Sequence, residues 1–82
     1  MAARGRWGEA MATFAMDYVL GRRLYTVIVH AATRTAADYE ARDEILGRRR
    51  LVGASMQGSP RPAGQDDYDA AQSGSGRQIP GM

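Results

Sequence analysis

Hydrophobic side chains recur along the first part of the chain in a pattern that predicts helix. Trp7, Met11, Phe14 and Tyr18 follow at spacings of four, three and four, one stripe of an amphipathic helix over about 6–20. Ala10, Ala12 and Ala15 add helix propensity. Gly21 stands where a C-cap glycine would, and Arg22 and Arg23 lie near the negative end of the helix dipole. Tyr25, Ile28, Ala32, Thr35, Tyr39, Arg42 and Leu46 continue the three-and-four spacing and predict a second helix over about 24–46. Within it, Thr35 and Asp38 have the spacing of a capping box, Asp38 and Arg42 pair at i, i+4, and Gly47 offers a C-cap. The stripe keeps its phase across Gly21, so a helical hairpin and one helix bent at Gly21 both satisfy it.

A second pattern competes over 24–30. Leu24, Tyr25, Thr26, Val27, Ile28 and Val29 are rich in β-branched and aromatic types, which favour a strand. The only other strand candidate is the short stretch 50–54 around Leu51 and Val52, and two strands alone are marginal in water. The expected fold is therefore mostly α, two helices with a tail. A small α+β arrangement with strands at 24–30 and 50–54 is the alternative.

The pattern stops near residue 54. All three prolines, five of the ten glycines and the run Ser73-Gly74-Ser75-Gly76 lie beyond it. Such a composition buries too little apolar surface to offset the entropy of ordering it. The chain thus divides into a small helical interaction domain at 1–54 and a flexible Gly/Pro/Ser-rich tail or arm at 55–82. At 82 residues with no cysteine, it has neither a large core nor a disulfide to hold it. Chains this short usually need a staple or a partner.

Chemistry adds little. Nucleophilic catalysis needs an activated serine or cysteine, yet no serine precedes Ser55 and the one histidine, His30, sits in the apolar run. The expectation is no catalytic residue, no cofactor and no metal site. Asp38, Glu40, Asp43 and Glu44 have arginines close in sequence and read as a solvated charged face. Asp66, Asp67 and Asp69 lack the spacing, the central glycine and the closing glutamate of a calcium loop. No apolar run approaches the ~20 residues a membrane helix needs, and no signal-peptide core follows the first residues. The location expected is cytoplasmic or virion.

All eleven basic residues are arginine, and with abundant alanine this points to a GC-rich genome. Arg48, Arg49 and Arg50, with Arg22 and Arg23, can contact phosphate or an acidic partner. The net charge of +2 does not by itself mark a nucleic-acid binder. Trp7, Met11, Phe14, Tyr18, Tyr25, Ile28 and Tyr39 are the expected protein interface, since Trp, Tyr and Met are enriched at interface cores. Met16, Val19, Leu20, Leu24 and Val27 lie off that stripe, more apolar surface than a two-helix hairpin covers.

The expected function is a non-catalytic structural or accessory subunit docking on a larger protein assembly or on copies of itself. A phage virion component or a minor subunit of a bacterial complex has this design. The runner-up is a small arginine-rich nucleic-acid-associated protein, and after it an inhibitor or regulator of one enzyme. The runner-up is checked by titration with duplex DNA and RNA at two salt concentrations. On that reading, salt-sensitive binding is expected and is lost when Arg48, Arg49 and Arg50 are changed together to glutamine.

Overall fold

A computed structural model describes residues 11–74 and 76–79. The stretch predicted as the first helix is a strand, β1 (Ala12–Leu20). A second strand, β2 (Arg23–Ala31), returns antiparallel to it in unbroken register from Leu20↔Arg23 to Ala12↔Ala31. Gly21 does not cap a helix. It turns the hairpin with φ +67°, while Arg22 keeps negative φ, the signature of a type II′ turn whose first central position suits glycine. Both predicted helices are thus corrected over 12–31. The part of the first at 6–10, with Trp7, lies outside the described residues.

The helical reading failed because its spacing was ambiguous. Phe14 and Tyr18 are four apart, an even number, so they share a face in a strand as well as in a helix. Met11 breaks the parity and is 51% exposed, whereas Met16, off the helical stripe, is fully buried. On one sheet face Phe14, Met16 and Tyr18 of β1 stand opposite Val29, Val27 and Tyr25 of β2. The Tyr18 and Tyr25 rings stack there with centroids 5.3 Å apart.

Helix α1 (Arg34–Arg42) covers that face. Thr33 is its N-cap, its hydroxyl accepting from the Ala36 amide at 3.1 Å, in place of the expected box at Thr35 and Asp38. The helix then widens into a π-helical extension over Asp43–Arg48. Gly47 lies inside it and does not end it. The end comes at Arg50, whose φ of +54° takes the left-handed position usually given to glycine. There the Leu51 amide bonds back to the Ile45 carbonyl at 3.0 Å. Ala37, Ala41 and Ile45, four residues apart, face Phe14, Met16, Tyr18, Val27, Val29 and Ala31 as one core.

The tail is ordered over its described residues. Strand β3 (Ser55–Pro62) lies along β1, helix α2 (Gln65–Ser73) follows, and a two-residue strand β4 (Arg77–Gln78) pairs with Arg23 and Leu24. The sheet order is β3-β1-β2-β4, every neighbour antiparallel. The fold is a small α+β sheet with two helices, so the mostly helical reading is overturned. The alternative's strand at 24–30 falls within β2; its other strand, at 50–54, precedes β3 and is turn and loop. Arg61 of β3 pairs with Ala15 and reaches Asp67 of α2, which puts α2 on the face opposite α1. Among the described residues no helix is long and apolar enough to cross a membrane.

Truncating the core should be felt strongly, because Ile45 is fully buried between helix and sheet. Ile45→Ala is expected to lower unfolding free energy by about 2–5 kcal/mol in urea titration. Val52→Ala, at a side chain 91% exposed, is expected to change it by less than about 0.5 kcal/mol.

Candidate functional site

The two ends of the sheet differ. In a two-residue hairpin the closing pair, Leu20↔Arg23, exchanges hydrogen bonds, and alternation then turns the backbone groups of Leu24, Thr26, Ile28 and His30 away from β1. The same alternation turns the Thr13 carbonyl toward β3, where it accepts from the Ala63 amide at 3.0 Å. β4 pairs with β2 only at Arg23 and Leu24. Among the described residues, the outward N–H and C=O of Ile28 and His30 therefore face no neighbouring strand.

The edge of β3 is defended. Pro62 pairs with Phe14, so its nitrogen, which has no proton to donate, points away from β1. A register shift between Ala15 and Asp17, with Gly58 at φ +69°, further breaks the line of the strand. Proline and bulges are the usual means of stopping another strand from adding to an edge. From 25 to 31, by contrast, β2 has neither proline nor glycine, nor any acidic or arginine side chain.

Beside this edge, on the α2 face, lies a polar clamp that the sequence did not reveal. The Asp17 carboxylate accepts from the Thr26 hydroxyl at 2.8 Å, from Arg61 at 3.1 Å and from Arg77 at 3.5 Å. Arg77 also donates to the Thr26 oxygen at 2.7 Å. Arg61 bridges onward to the Asp67 carboxylate, whose second oxygen accepts from the Gly64 amide at 3.0 Å. The Arg61 guanidinium, helped by the Gly64 amide, holds the Asp67 carboxyl below its ordinary range, and Asp67 then Asp17 raise the Arg61 pKa in turn. Two carboxylates and two guanidiniums neutralise one another and join all four strands and α2. Nothing in the chain announces the group, because its members lie up to 60 residues apart.

The predicted interface residues scatter. Phe14 and Tyr18 are internal core, while Tyr25 and Ile28 are partly buried on opposite faces of β2. Met11 is exposed, Tyr39 on the outside of α1 is 71% exposed, and Trp7 lies outside the described residues. Of the arginines, Arg48 pairs with Asp43 at 3.4 Å and Arg49 with Glu44 at 2.8 Å. Arg23 donates to the Gly76 carbonyl at 3.0 Å. Arg22 and Arg50 are exposed. The acidic residues 38, 43 and 44 thus face arginines, the Asp38–Arg42 pair forming as expected at 3.0 Å. His30 is exposed, with its Nδ1 3.1 Å from the Thr13 hydroxyl. Among the described residues no group of three or more His, Asp or Glu is arranged to hold a metal ion.

Comparison with known protein families, with characterised proteins and with solved structures finds no match for this chain.

The clamp gives stability a definite pH dependence. The folded Asp67 pKa lies below its ordinary 3.8, so in that window the unfolded chain binds the extra proton. The contribution is full above the unfolded value and is lost as pH falls through the folded one. Asp67→Asn is expected to destabilise the protein at pH 7. In denaturant titrations at stepped pH, the gap from the parent is expected to close as pH drops below 3.8. A gap unchanged at pH 2 would remove the charge from the explanation.

Proposed function

We propose that the chain is a non-catalytic docking subunit that joins a larger protein assembly through the outer edge of β2. The observation that carries this reading is the contrast between the two ends of the sheet. β3 has a proline, a glycine kink and a register shift where another strand would add, while β2, beyond the two residues that β4 pairs, presents β-branched residues with no proline, glycine or bulge among the described residues. An undefended edge is an aggregation liability unless something covers it. Strand addition is also a recurrent way for one protein to hold another.

The nucleic-acid reading draws less support. Arg48 and Arg49 already face Asp43 and Glu44, so phosphate must compete with carboxylates in contact with the same guanidiniums. The catalytic reading draws little support as well: among the described residues the one hydroxyl placed beside a base, Thr13 at 3.1 Å from the His30 ring, is exposed, and the four charges of the clamp face one another.

The test is site-specific photocrosslinking in the cells that make the protein. A photoreactive phenylalanine analogue replaces His30, on the β2 edge, or Asp66, on the far side of α2's first turn. One discrete protein adduct from position 30, absent from position 66, is the expected result. Equal adducts from both positions, or none from position 30, would refute the reading.

A further inference from the structure

A groove of about 500 Å³ touches Tyr25, Thr26, Val27 and Ile28, four consecutive residues of β2. Successive side chains of a strand point to opposite faces. A cavity in contact with all four therefore passes around the strand's outer edge and is not confined to one face. Its walls come from both layers. Glu44, Arg49 and Leu51 stand on the α1 side, and Ala70, Ala71 and Gly74 stand on the α2 side.

We infer that this groove receives a single extended peptide segment of a partner protein, which adds to β2 as a further strand. The inference rests on the docking reading above and names what docks. The first argument is shape. The edge is recessed between two walls, so a second copy of this chain, with an equally recessed edge, would bring its own walls into collision with these. A lone strand, occupying the ~4.8 Å of one inter-strand spacing, enters without that conflict. The second is hydrogen bonding: Ile28 in the groove and His30, two residues beyond its lining, offer outward donors and acceptors at the two-residue repeat an added strand requires.

The third argument is chemistry, and it sets the class of peptide. On the α1 side the lining combines the stacked Tyr18 and Tyr25 rings, Leu20 and Leu51 with the charged Glu44 and Arg49. On the α2 side it is methyl groups and backbone. The charged pair in that lining, Glu44 and Arg49, is 2.8 Å apart and neutralises itself. An uncharged segment alternating bulky aliphatic residues with small ones matches both walls. Four β2 residues at ~3.3 Å each give a contact about 13 Å long.

The experiment follows the backbone amides of the full chain by NMR during titration with a capped seven-residue peptide alternating leucine with alanine and serine. Saturable shifts centred on Thr26, Ile28 and His30 are expected, with slowed exchange at the Ile28 and His30 amides. The same peptide N-methylated at alternate amides, in either phase, is expected to bind about five- to thirtyfold more weakly in one phase, as loss of one or two hydrogen bonds near 1 kcal/mol each requires. Ala71→Leu is expected to weaken binding by narrowing the groove, and Gln72→Leu, one residue on at an exposed position, is not.

Shifts centred elsewhere, or equal binding of both N-methylated forms, would overturn the inference. So would amides at Ile28 and His30 already protected in the free chain, which would mean that its own terminal segment fills the groove. Shifts that follow protein concentration alone would assign the edge to a second copy and overturn it as well. If peptide binding fails while the position-30 crosslink persists, the extended-strand inference falls and the docking reading stands. If both fail, both fall.

Discussion

The whole molecule depends on where β1 finds its second partner. A β-hairpin in water is marginal, and β1–β2 alone would leave both its faces and both its edges wet. Pairing of β3 against the free side of β1 makes β1 a central strand, and the connections entering and leaving β3 then carry a helix across each face. Ala15 and Met16, adjacent residues pointing opposite ways, are both fully buried as a result. No disulfide or other covalent staple contributes, since the chain has no cysteine.

That dependence explains what could be read from residues alone. The apolar surplus over 16–31 is visible as an excess beyond one stripe, and the structure there is a strand pair covered on two sides. The strand that covers part of it is not legible, because the third strand carries no recognisable signal. Ser-Met-Gln-Gly-Ser-Pro-Arg-Pro has no β-branched residue, and its prolines are tolerated only because the strand lies at an edge. Helix α1 was legible over 34–42 as a helix, with Asp38 bonding Arg42, but its inner face was not: the three-and-four stripe runs through Thr35, Tyr39, Arg42 and Leu46, all exposed, whereas Ala37, Ala41 and Ile45 are buried. Its end was not. The glycine at 47 promised a stop, yet the backbone continues to Arg50 and bears the strain of a left-handed non-glycine residue, roughly 1–2 kcal/mol.

The candidate site was legible only in part. Tyr25 and Ile28 stand out in the sequence by their side chains, whereas the proposed docking rests on the backbone of β2, whose outward groups at Ile28 and His30 face no strand among the described residues. Backbone groups are the same in every sequence, and only topology says which of them lack a neighbour. The clamp was hidden for a related reason: Asp17, Thr26, Arg61, Asp67 and Arg77 form no local motif and meet only after the sheet closes. Gly76 belongs to the same closure. A Cβ there would come within 2.8 Å of the Tyr25 ring, so the segment leading into β4 can lie against the stacked tyrosines only without a side chain.

The order of contacts along the chain also governs how the molecule is made. The hairpin is local in sequence and forms early, on the microsecond scale typical of such turns. The strand that seals it arrives some forty residues later, as Arg61 meets Asp17, and α2 and the clamp come later still. Until then a β-branched ribbon with exposed faces exists in the growing or refolding chain, the species from which off-pathway association starts. The bend and prolines of β3 therefore do more than finish one side of the sheet. They let the last segment close on its own hairpin while giving a stranger's strand little to hold.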